Sequence, residues 1–265
     1  MTGEETTTAL VLAGSRRGEA DPVARYRHAP AKFLVPAGGV PMLARVVRTL
    51  RRSRGVGRIL ISCDDPALVD QMGELHGIAD LDVLRSAASL SASVEAAFAA
   101  AGPPLLVTTA DHALLDPAMV ELFLERAGAS GADVAAALVA AATIRASHPD
   151  TRRTYLRFRD GGYSGANLFL LRTTAAAEGI AFWRRIERDR KAPWRLARAV
   201  GPLPLLSYLL RVATLAQAMR LVSRRLGLHL SAVVLPMAEA AIDVDKPADL
   251  DLVERILASR GGTPA

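Results

Sequence analysis

A glycine-containing, arginine-rich segment near the start of the chain has the residue types that bind phosphate groups. Leu10–Gly18 reads LVLAGSRRG, and Lys32 follows within Ala31–Leu43, which reads AKFLVPAGGVPML. Backbone N–H groups at such a turn hold phosphate oxygens at short range, where a Cβ atom would obstruct them. Arg16, Arg17 and Lys32 add positive charge. Neither a Gly-Lys-Ser/Thr run nor the Gly-x-Gly-x-x-Gly spacing of dinucleotide-binding folds is present, so these two nucleotide-binding classes are excluded.

The elements around this segment are predicted to be a buried strand, a long loop and a helix. Ala9–Ala13 is a short apolar run that ends at Gly14, as expected of a buried strand that leads into a loop. Residues 14–39 contain several glycines, prolines and arginines and predict one structureless loop, which at this length is usually functional. From Pro41 onward, apolar residues recur at helical spacing.

Strands and helices alternate over the next hundred residues. The alternation predicts an α/β fold, with helices on both faces of the sheet. Ligands of such sheets bind beyond the carboxyl ends of the strands, where Gly14 and Asp111 both fall. Asp116 suits the N-cap of the helix that begins at Pro117. The predicted strands are Arg58–Ser62, Leu81–Leu84, Leu105–Thr109 and Val134–Val139, and the predicted helices are Pro66–Leu75, Ser93–Ala101 and Pro117–Ala127.

The second half of the chain departs from this alternation. Tyr155–Arg159 and Tyr163–Leu171 look like two strands joined at Asp160-Gly161-Gly162, which predicts an appended antiparallel hairpin. Residues 174–230 are helical in pattern and rich in arginine. We interpret residues 1–265 as a single domain with a basic helical insertion at about 174–230. The closing elements are predicted strands at Ala232–Leu235 and Ala241–Val244 and a helix at Pro247–Leu257.

Four segments together carry a family pattern. The first is Leu-Ala-Gly at 12–14, followed by an arginine-rich stretch, Lys32 and the GVPML run at 39–43. The others are LLVTTADHALL at 105–115, YSGANLFLL at 163–171 and IDVDKPADLDLV at 242–253. With these segments the chain resembles the nucleotidyltransferase superfamily, in particular its group with a MobA-like NTP transferase domain, the molybdenum-cofactor-guanylyltransferase-like proteins. One departure is Ser15, where many members have a second glycine.

The resemblance implies a fold and a reaction. The fold is a Rossmann-like three-layer α/β/α nucleotidyltransferase fold with a mixed, mostly parallel sheet, and the whole chain is its catalytic domain. In the reaction, a small phosphorylated acceptor attacks the α-phosphorus of a nucleoside triphosphate, CTP or GTP, and pyrophosphate leaves. The acceptor is a sugar or polyol phosphate, a lipid-headgroup precursor or a cofactor phosphate. A phosphate is already a dianion at neutral pH, because its second pKa is about 6, so no protein base is required.

The same resemblance implies the roles of individual residues. Lys32 and Arg16 would bind the triphosphate and stabilise the departing pyrophosphate. Mg²⁺, which prefers oxygen ligands, would be held by three acids, Asp111, Asp243 and Asp245. The residues expected to contact the nucleotide are Leu12, Ala13, Gly14, Ser15, Arg17, Ser89 and Ser91, and those expected to contact the acceptor are Gly165 and Asn167.

The acids and serines also have ordinary structural alternatives. Asp111 could cap the turn that follows its strand. Asp243 and Asp245 could instead stabilise the last helix by interacting with the positive end of its dipole. Ser89 and Ser91 precede a predicted helix and could be caps.

Four further residues also have structural interpretations. Asn167 could settle a bulge in its strand, and Gly165 beside it could permit close approach of a ligand. His112 is expected to be structural or to support Asp111 rather than to be catalytic. Cys63 is expected to be a small buried apolar residue.

Composition limits the partners and the compartment. The formal net charge is +6, and 30 arginines stand against three lysines, which favours anionic partners, although codon bias is an alternative source of arginine. Nucleic-acid binding is not expected, because no known reading module accompanies the charge. The single cysteine excludes a disulfide scaffold and a thiolate zinc cluster and favours a reducing compartment. Neither a signal peptide nor a transmembrane run is recognised, so a cytoplasmic location is expected.

A cluster of tryptophans and arginines at 182–198 allows three interpretations. The sequence FWRRIERDRKAPWRLAR could lie at an anionic bilayer surface, which would place the protein peripherally at the inner membrane face. It could instead bind the phosphate of an acceptor. It could also be a solvated helix face with a core anchor.

Two other functions compete with nucleotidyl transfer. A nucleotide-sugar glycosyltransferase is one, because Asp243-Val244-Asp245 imitates the acidic triplet that holds a metal-bound diphosphate in such enzymes. A non-catalytic nucleotide-binding or membrane-associated module is the other. The Leu-Ala-Gly turn with Lys32 favours the transferase, because it addresses the outer phosphates of a triphosphate. The oligomeric state is not legible from the sequence.

Overall fold

The computed structural model describes residues 6–14, 21–189 and 201–261 of the chain. Within these ranges, the backbone forms a main sheet of eight strands and a separate two-stranded hairpin. The strands are β1 Thr7–Leu12, β2 Pro36–Ala37, β3 Val40–Pro41, β4 Val56–Cys63, β5 Leu81–Arg85, β6 Leu105–Thr109, β7 Val134–Ala140, β8 Leu156–Phe158, β9 Gly161–Leu171 and β10 Leu230–Leu235. The helices are α1 Pro22–Tyr26, α2 Met42–Arg52, α3 Pro66–Asp70, α4 Leu90–Ala101, α5 Pro117–Ala129, α6 Ala141–Ser147, α7 Ala176–Asp189, α8 Pro202–Leu209, α9 Leu215–Leu226 and α10 Pro247–Ser259.

The main sheet is mixed and mostly parallel, as predicted. Its strand order is β10-β7-β9-β6-β1-β4-β5, with β8 paired to β9. Only β9 runs against its neighbours β6, β7 and β8 in the described sheet, and the other pairs are parallel. The carboxyl ends of β1, β6 and β7 therefore share one edge with the amino-terminal part of β9.

The predicted hairpin forms, but it is not an appendage. Leu156 of β8 lies opposite Tyr163 of β9, as in an antiparallel hairpin. However, β9 continues to Leu171 and fills the centre of the sheet between β6 and β7, so the prediction of an appended hairpin was wrong. A turn signal reports only the local chain reversal, whereas the buried side chains of Ala166 and Leu168 determine where the strand packs.

Alternate residues of the central strands face two helical layers. In β1, Ala9 and Val11 belong to one apolar cluster, and Leu10 and Leu12 belong to another. This period of two matches the pleat of a strand that is buried on both sides. Helices α2 and α5 complete the first cluster with residues such as Val47 and Phe123. Helices α4 and α7 complete the second with Val94 and Ile180. The three-layer α/β/α fold is thereby confirmed.

The predicted helical segment at 174–230 contains α7, α8 and α9 in its described part. The first of these helices belongs to a core layer, because Ala176 and Ile180 are buried against the sheet. The division into one domain with an inserted segment stays a prediction. None of the described helices combines the length and the apolar character needed to cross a bilayer.

The connection after β1 is more ordered than the loop predicted for residues 14–39. From Asp21 onward it forms α1, a 3₁₀ turn at Lys32–Leu34 and the β2–β3 hairpin. Asp21 caps α1 by accepting from the Val23 N–H at 2.9 Å. Val23 and Phe33 are buried, so this part of the connection is anchored in the core. The prediction of a structureless loop was wrong here, because glycine and proline content does not reveal such anchors.

The strand predicted at Ala241–Val244 does not form either. A 3₁₀ turn occupies Ala238–Ala241, and the Val244 N–H donates to the Asp111 carbonyl at 3.1 Å rather than to a strand of the sheet. Ile242 and Val244 are buried in an apolar cluster that includes residues of α10. Their burial explains the apolar pattern, and the resulting turn brings the acids of this segment to Asp111.

Candidate active site

Three of the predicted site residues meet at the carboxyl edge of the sheet. Lys32 lies on a 3₁₀ turn, Asp111 follows β6 and Asp245 precedes α10. The Lys32 Nζ donates to Asp111 Oδ2 at 2.5 Å and to Asp245 Oδ1 at 3.4 Å. Residues that are 79 and 213 positions apart in the sequence therefore share one centre.

Asp243, the third predicted acid, lies beside this group. Its Oδ1 pairs with the Arg153 guanidinium, which also donates to the Asp243 carbonyl at 3.2 Å. Burial raises the pKa of Asp243 above its ordinary value, and the carboxylates of Asp245 and Asp111 raise it further, against the lowering effect of Arg153. We use the name acid–lysine centre for Lys32, Asp111, Asp243 and Asp245.

Asn167 reaches the centre from an irregularity in β9. The register between β7 and β9 shifts between Ala136 and Leu138, and Asn167 has a φ of 46°, in the left-handed region. Its Nδ2 donates to Asp243 Oδ2 at 2.9 Å. Bulges redirect side chains in this way, so the irregularity predicted at Asn167 is present, and its contact with the acceptor stays a prediction. The space around Gly165 is open, and its contact with the acceptor stays a prediction.

Polar groups of the surrounding elements hold the acids in place. The Thr109 hydroxyl donates to Asp111 Oδ1 at 2.5 Å. Asp249 Oδ2 accepts from the Asp245 N–H at 3.2 Å. Asp116, rather than Asp111, caps α5, because its Oδ1 accepts from a helix N–H at 2.9 Å. The carboxylate of Asp111 is directed to Lys32 and Thr109 instead.

Sequence reasoning did not single out Arg153, Thr109 or Asp249. Arg153 is almost fully enclosed, with 8% of its side chain exposed, and its Nη2 lies 3.6 Å from Asp249 Oδ1. It is one of four arginines between 152 and 159, so the sequence alone did not distinguish it from its neighbours. Asp249 had a weak signal, since an acid in the first turn of a helix suits a cap.

Lys32 is positively charged at neutral pH. Burial alone would lower the pKa of Lys32, but Asp111, by its charge and its hydrogen bond, and then Asp245 hold that pKa above the ordinary 10.5. One partly buried ammonium group therefore faces carboxylates. Such a site can bind a polyanion through the lysine and a hard cation through the acids.

The chemistry of these donors fits Mg²⁺. All three acids offer carboxylate oxygens, the kind of ligand that Mg²⁺ prefers. Among the residues that the structure describes, no group of three or more His, Cys, Asp or Glu side chains is arranged to hold a metal ion. Mg²⁺ usually takes one or two carboxylates and completes its octahedron with waters and substrate phosphates. Mg²⁺ binding therefore does not require the protein to supply a complete set of ligands.

The predicted nucleotide contacts at the end of β1 lie at the same edge of the sheet. Leu12 and Ala13 are buried, whereas Gly14 is exposed. A Cβ atom at Gly14 would lie 3.1 Å from the Ser86 hydroxyl, so a larger residue would narrow the space there. The remaining predicted contacts of this turn lie outside the described residues, namely Ser15, Arg16 and Arg17.

Ser89 and Ser91 lie at the start of α4. The Ser89 hydroxyl accepts from the Ala92 N–H at 3.3 Å, so Ser89 is a helix cap. Ser91 is buried, and its hydroxyl donates to Glu187 of α7. Contact of either serine with a nucleotide stays a prediction.

His112 and Cys63 have the properties of core residues. Burial lowers the pKa of His112 to about 4, so its ring is neutral at pH 7. Burial, and then the nearby charge of Asp64, raises the pKa of the Cys63 thiol to about 11, so the thiolate is scarce. Neither residue offers a charged or nucleophilic group to the site.

The described part of the tryptophan and arginine cluster packs against the fold. The Trp183 ring stacks on Phe169 with 6.4 Å between centroids, and Arg184 pairs with Glu95 of α4. Residues 190–198 lie outside the described residues. Membrane or acceptor contact through 182–198 stays a prediction.

The geometry agrees with comparisons to known proteins. Residues 9–149 match the family described as the MobA-like NTP transferase domain. A solved structure from Thermus thermophilus, described as a hypothetical transferase, is 32% identical and has a TM-score of 0.77, covering 92% of this chain and 99% of that one.

Two more distant structures share the fold. A CMP:2-keto-3-deoxy-manno-octonic acid synthetase complexed with CTP is 15% identical, with a TM-score of 0.59 over 96% of this chain and 100% of that one. The 2-C-methyl-D-erythritol 4-phosphate cytidylyltransferase of Thermus thermophilus is 16% identical, with a TM-score of 0.54 over 96% and 99%. Because the family match spans more than half of the chain, the protein belongs to the MobA-like NTP transferase family and is a nucleotidyltransferase.

Proposed function

We propose that this nucleotidyltransferase moves a nucleoside monophosphate group from a nucleoside triphosphate to a small phosphorylated acceptor, with Mg²⁺ and with release of pyrophosphate. The acid–lysine centre is the observation that carries the proposal, because it joins a cation and three acids at one edge of the sheet. Ligands of α/β sheets bind at this edge. A triphosphate requires both kinds of charge, a cation for its oxygens and acids for its divalent ion.

Lys32 is the proposed ligand of the triphosphate. Its ammonium would bind phosphate oxygens and stabilise the negative charge that accumulates on the leaving pyrophosphate. Asp111 holds this ammonium at 2.5 Å in the structure, and a triphosphate would compete with Asp111 for it. Arg16 is proposed to act on the same phosphates. The segment from Leu12 to Arg17, together with Ser89 and Ser91, is proposed to bind the nucleotide.

Asp111, Asp243 and Asp245 are the proposed ligands of Mg²⁺. When bound, the ion would bridge the reacting phosphates and neutralise the charge that develops during in-line displacement. Arg153 and Asn167 fix the Asp243 carboxylate by contacts to its two oxygens.

The acceptor is proposed to be a phosphate ester that contacts Gly165 and Asn167. A phosphate dianion is itself the nucleophile, so the neutral, buried His112 is not required as a base. Sugar phosphates, polyol phosphates, lipid-headgroup precursors and cofactor phosphates all meet this requirement. CTP is the first triphosphate to test and GTP the second, because one fold relative is described with CTP and another is named a cytidylyltransferase. We place the reaction in the cytoplasm, since the single cysteine suits a reducing compartment.

Ligand stabilisation and product analysis together test the proposal. With Mg²⁺ present, one nucleoside triphosphate is expected to raise the Tm by mass action, more than the other three do. That triphosphate is then incubated with a panel of phosphorylated acceptors, and pyrophosphate is expected in equal amount to the nucleotide-linked product.

Two results would contradict the proposal. Release of a nucleoside diphosphate from a nucleotide sugar would indicate a glycosyltransferase. Binding of a triphosphate without turnover across the whole panel would indicate a non-catalytic nucleotide-binding module.

A further inference from the structure

An exposed apolar surface lies on α8. Leu203, Leu206, Leu209, Leu210 and the following Val212 each expose more than half of their surface. The spacing of three and four residues places the leucines on one side of the helix. Large apolar side chains that are exposed singly need no explanation, whereas a contiguous group marks a contact surface. We use the name α8 apolar face for these five residues.

Contacts on the other side of α8 fix the outward direction of this face. The Tyr208 ring packs edge-on against Phe158 of β8, with 5.5 Å between centroids. Ser207 is buried, and the Arg159 N–H donates to the carbonyl of Ala213 at 2.9 Å. The helix is therefore held by its polar and aromatic residues, and its leucines point away from the core.

Arginines lie at both ends of the face. Arg225 lies close to Gly201, just before α8, because a Cβ atom added to that glycine would be 3.6 Å from Arg225 Nε. Arg211 follows the helix. Arg211 also lines a cavity of about 320 Å³ together with Arg145 and Arg157. Within the described ranges, no carboxylate pairs with these three cavity arginines, so their charge is available to an anion.

The sequence around α8 contains basic residues but no acidic ones. Residues 190–238 contain eight arginines and lysines and no aspartate or glutamate. Because the chain has 33 basic residues in all, 25 basic and 27 acidic residues remain elsewhere. The whole positive net charge of the protein therefore arises in the segment that contains the α8 apolar face.

We infer that the α8 apolar face docks on an anionic phospholipid bilayer. The leucines enter the boundary of the acyl chains, and Arg145, Arg157 and Arg211 bind a lipid phosphate. Interfacial helices combine an apolar side with basic flanks in this way, and each basic residue near an anionic surface adds attraction. An acidic protein is the competing partner, but leucine and valine, which form this face, are under-represented among the residues that contribute most to protein–protein binding. The inference goes beyond the proposed function and does not depend on it.

Co-sedimentation with vesicles tests this inference on the full-length protein. Vesicles of phosphatidylcholine alone are compared with vesicles that also contain phosphatidylglycerol, at physiological ionic strength. We expect binding only to the anionic vesicles. The double variant Leu206→Ser and Leu209→Ser, which leaves the net charge unchanged, should lower the partition coefficient roughly tenfold or more. Arg157→Gln with Arg211→Gln should lower it roughly tenfold.

Matched controls separate a specific surface from general basicity. Leu90→Ser removes an exposed leucine at the start of α4, and Arg255→Gln removes an exposed arginine of α10. Both should partition like the wild type. In the unaltered protein, addition of anionic vesicles should slow hydrogen exchange in residues 203–212.

The inference is overturned if the leucine variants and the controls bind equally, because overall charge alone would then explain binding. It is also overturned if the unaltered protein ignores anionic vesicles, which would leave an acidic protein as the partner. Triphosphate-induced stabilisation, measured on the α8 leucine variant and on the Arg157→Gln, Arg211→Gln variant, should stay unchanged. A failure of the proposed function would therefore show separately from a failure of membrane docking.

Discussion

Asp243 and Asp133 lie at opposite edges of the same sheet, and their surroundings have opposite effects on ionisation. Asp133 immediately precedes β7, where its carboxylate accepts from the Thr173 hydroxyl at 2.6 Å and from the His229 N–H at 2.9 Å. These two hydrogen bonds lower the pKa of Asp133 below its ordinary value. At Asp243, burial and neighbouring carboxylates raise the pKa instead.

The difference separates an acid whose charged form is stabilised by the fold from an acid whose charged form is opposed by its surroundings. Asp133 joins the ends of three strands, β7, β9 and β10, and its charged form is satisfied by donors of the protein itself. Asp243 is buried beside the carboxylates of Asp245 and Asp111, and these effects outweigh the stabilisation of its charge by Arg153. Perturbed carboxylates of this kind in a cleft are typical of functional sites. The proposed divalent ion would supply positive charge beside the Asp243 carboxylate.

The largest effect is expected from Asp111→Asn. This change removes the negative charge of the acid closest to Lys32 and leaves the shape of the side chain almost unchanged. Turnover should fall by at least about 10³-fold, because a proposed ligand of the Mg²⁺ ion that neutralises the reacting phosphates is lost. Pyrophosphate release under saturating triphosphate measures it, and circular dichroism should report an unchanged fold. Asp116→Asn, five residues further on, is the matched control and should keep its helix cap and full activity. Equal activity in the two variants would remove Asp111 from the site.

Lys32→Ala should have the next largest effect. The loss of a cation at the triphosphate should lower kcat/KM roughly 10²-fold. The same change removes the ammonium that now pairs with Asp111 and Asp245, so Mg²⁺ alone should raise the Tm more in Lys32→Ala than in the wild type. A smaller Tm response to Mg²⁺ in the variant would contradict the arrangement, whatever the activity.

The sequence predicted some features of the site and the fold and missed others. Lys32, Asp111 and Asp245 were predictable because each belongs to a family motif, and the structure brings them together. The pattern of buried strands likewise predicted the three layers. The central position of β9 was not predictable, since pairing partners far apart in the sequence leave no local signal.

Arg153 shows the same limit within the site itself. Its importance comes from burial and from one carboxylate 90 residues away, and it looks like its exposed neighbour Arg152 in the sequence. The supporting contacts of Asp133 escaped prediction for the same reason. They depend on three strand ends that meet only in the folded chain.

Arg153→Lys is expected to have a moderate effect. Lysine keeps the charge but loses the forked contact with the Asp243 side chain and carbonyl. Because Arg153 acts by positioning Asp243, kcat/KM should fall roughly 10-fold, and the Mg²⁺ concentration for half-maximal activity should rise. The exposed Arg152→Lys is the matched control and should change neither quantity. A variant with lower activity but an unchanged Mg²⁺ requirement would show that Arg153 does not act through Asp243.

The smallest effect, and the most direct test of the contrast, is on stability. Asp133→Asn should lower the free energy of unfolding at neutral pH by about 1 kcal/mol, since two hydrogen bonds to a partly exposed charge are weakened. In a chain of this size that corresponds to a Tm lower by roughly 2–4 °C. Asp243→Asn should keep or raise the Tm, although activity is lost, because a neutral amide relieves the repulsion from Asp245 and Asp111.

The pH dependence of these two variants follows from the direction of each shift. The folded pKa of Asp133 lies below its ordinary value of 3.8, so its stabilisation is complete above pH 3.8 and is lost as the pH falls through the folded pKa. The Tm difference between the wild type and Asp133→Asn should therefore shrink below pH 3.8. Asp243 has the opposite sign: the folded protein takes up its proton at a higher pH than the unfolded chain does, so ionisation opposes folding at neutral pH. Thermal melts of both variants and the wild type, from neutral pH to below pH 3.8, test these expectations. If Asp243→Asn lowers the Tm as much as Asp133→Asn does, both acids stabilise the fold and the contrast is wrong.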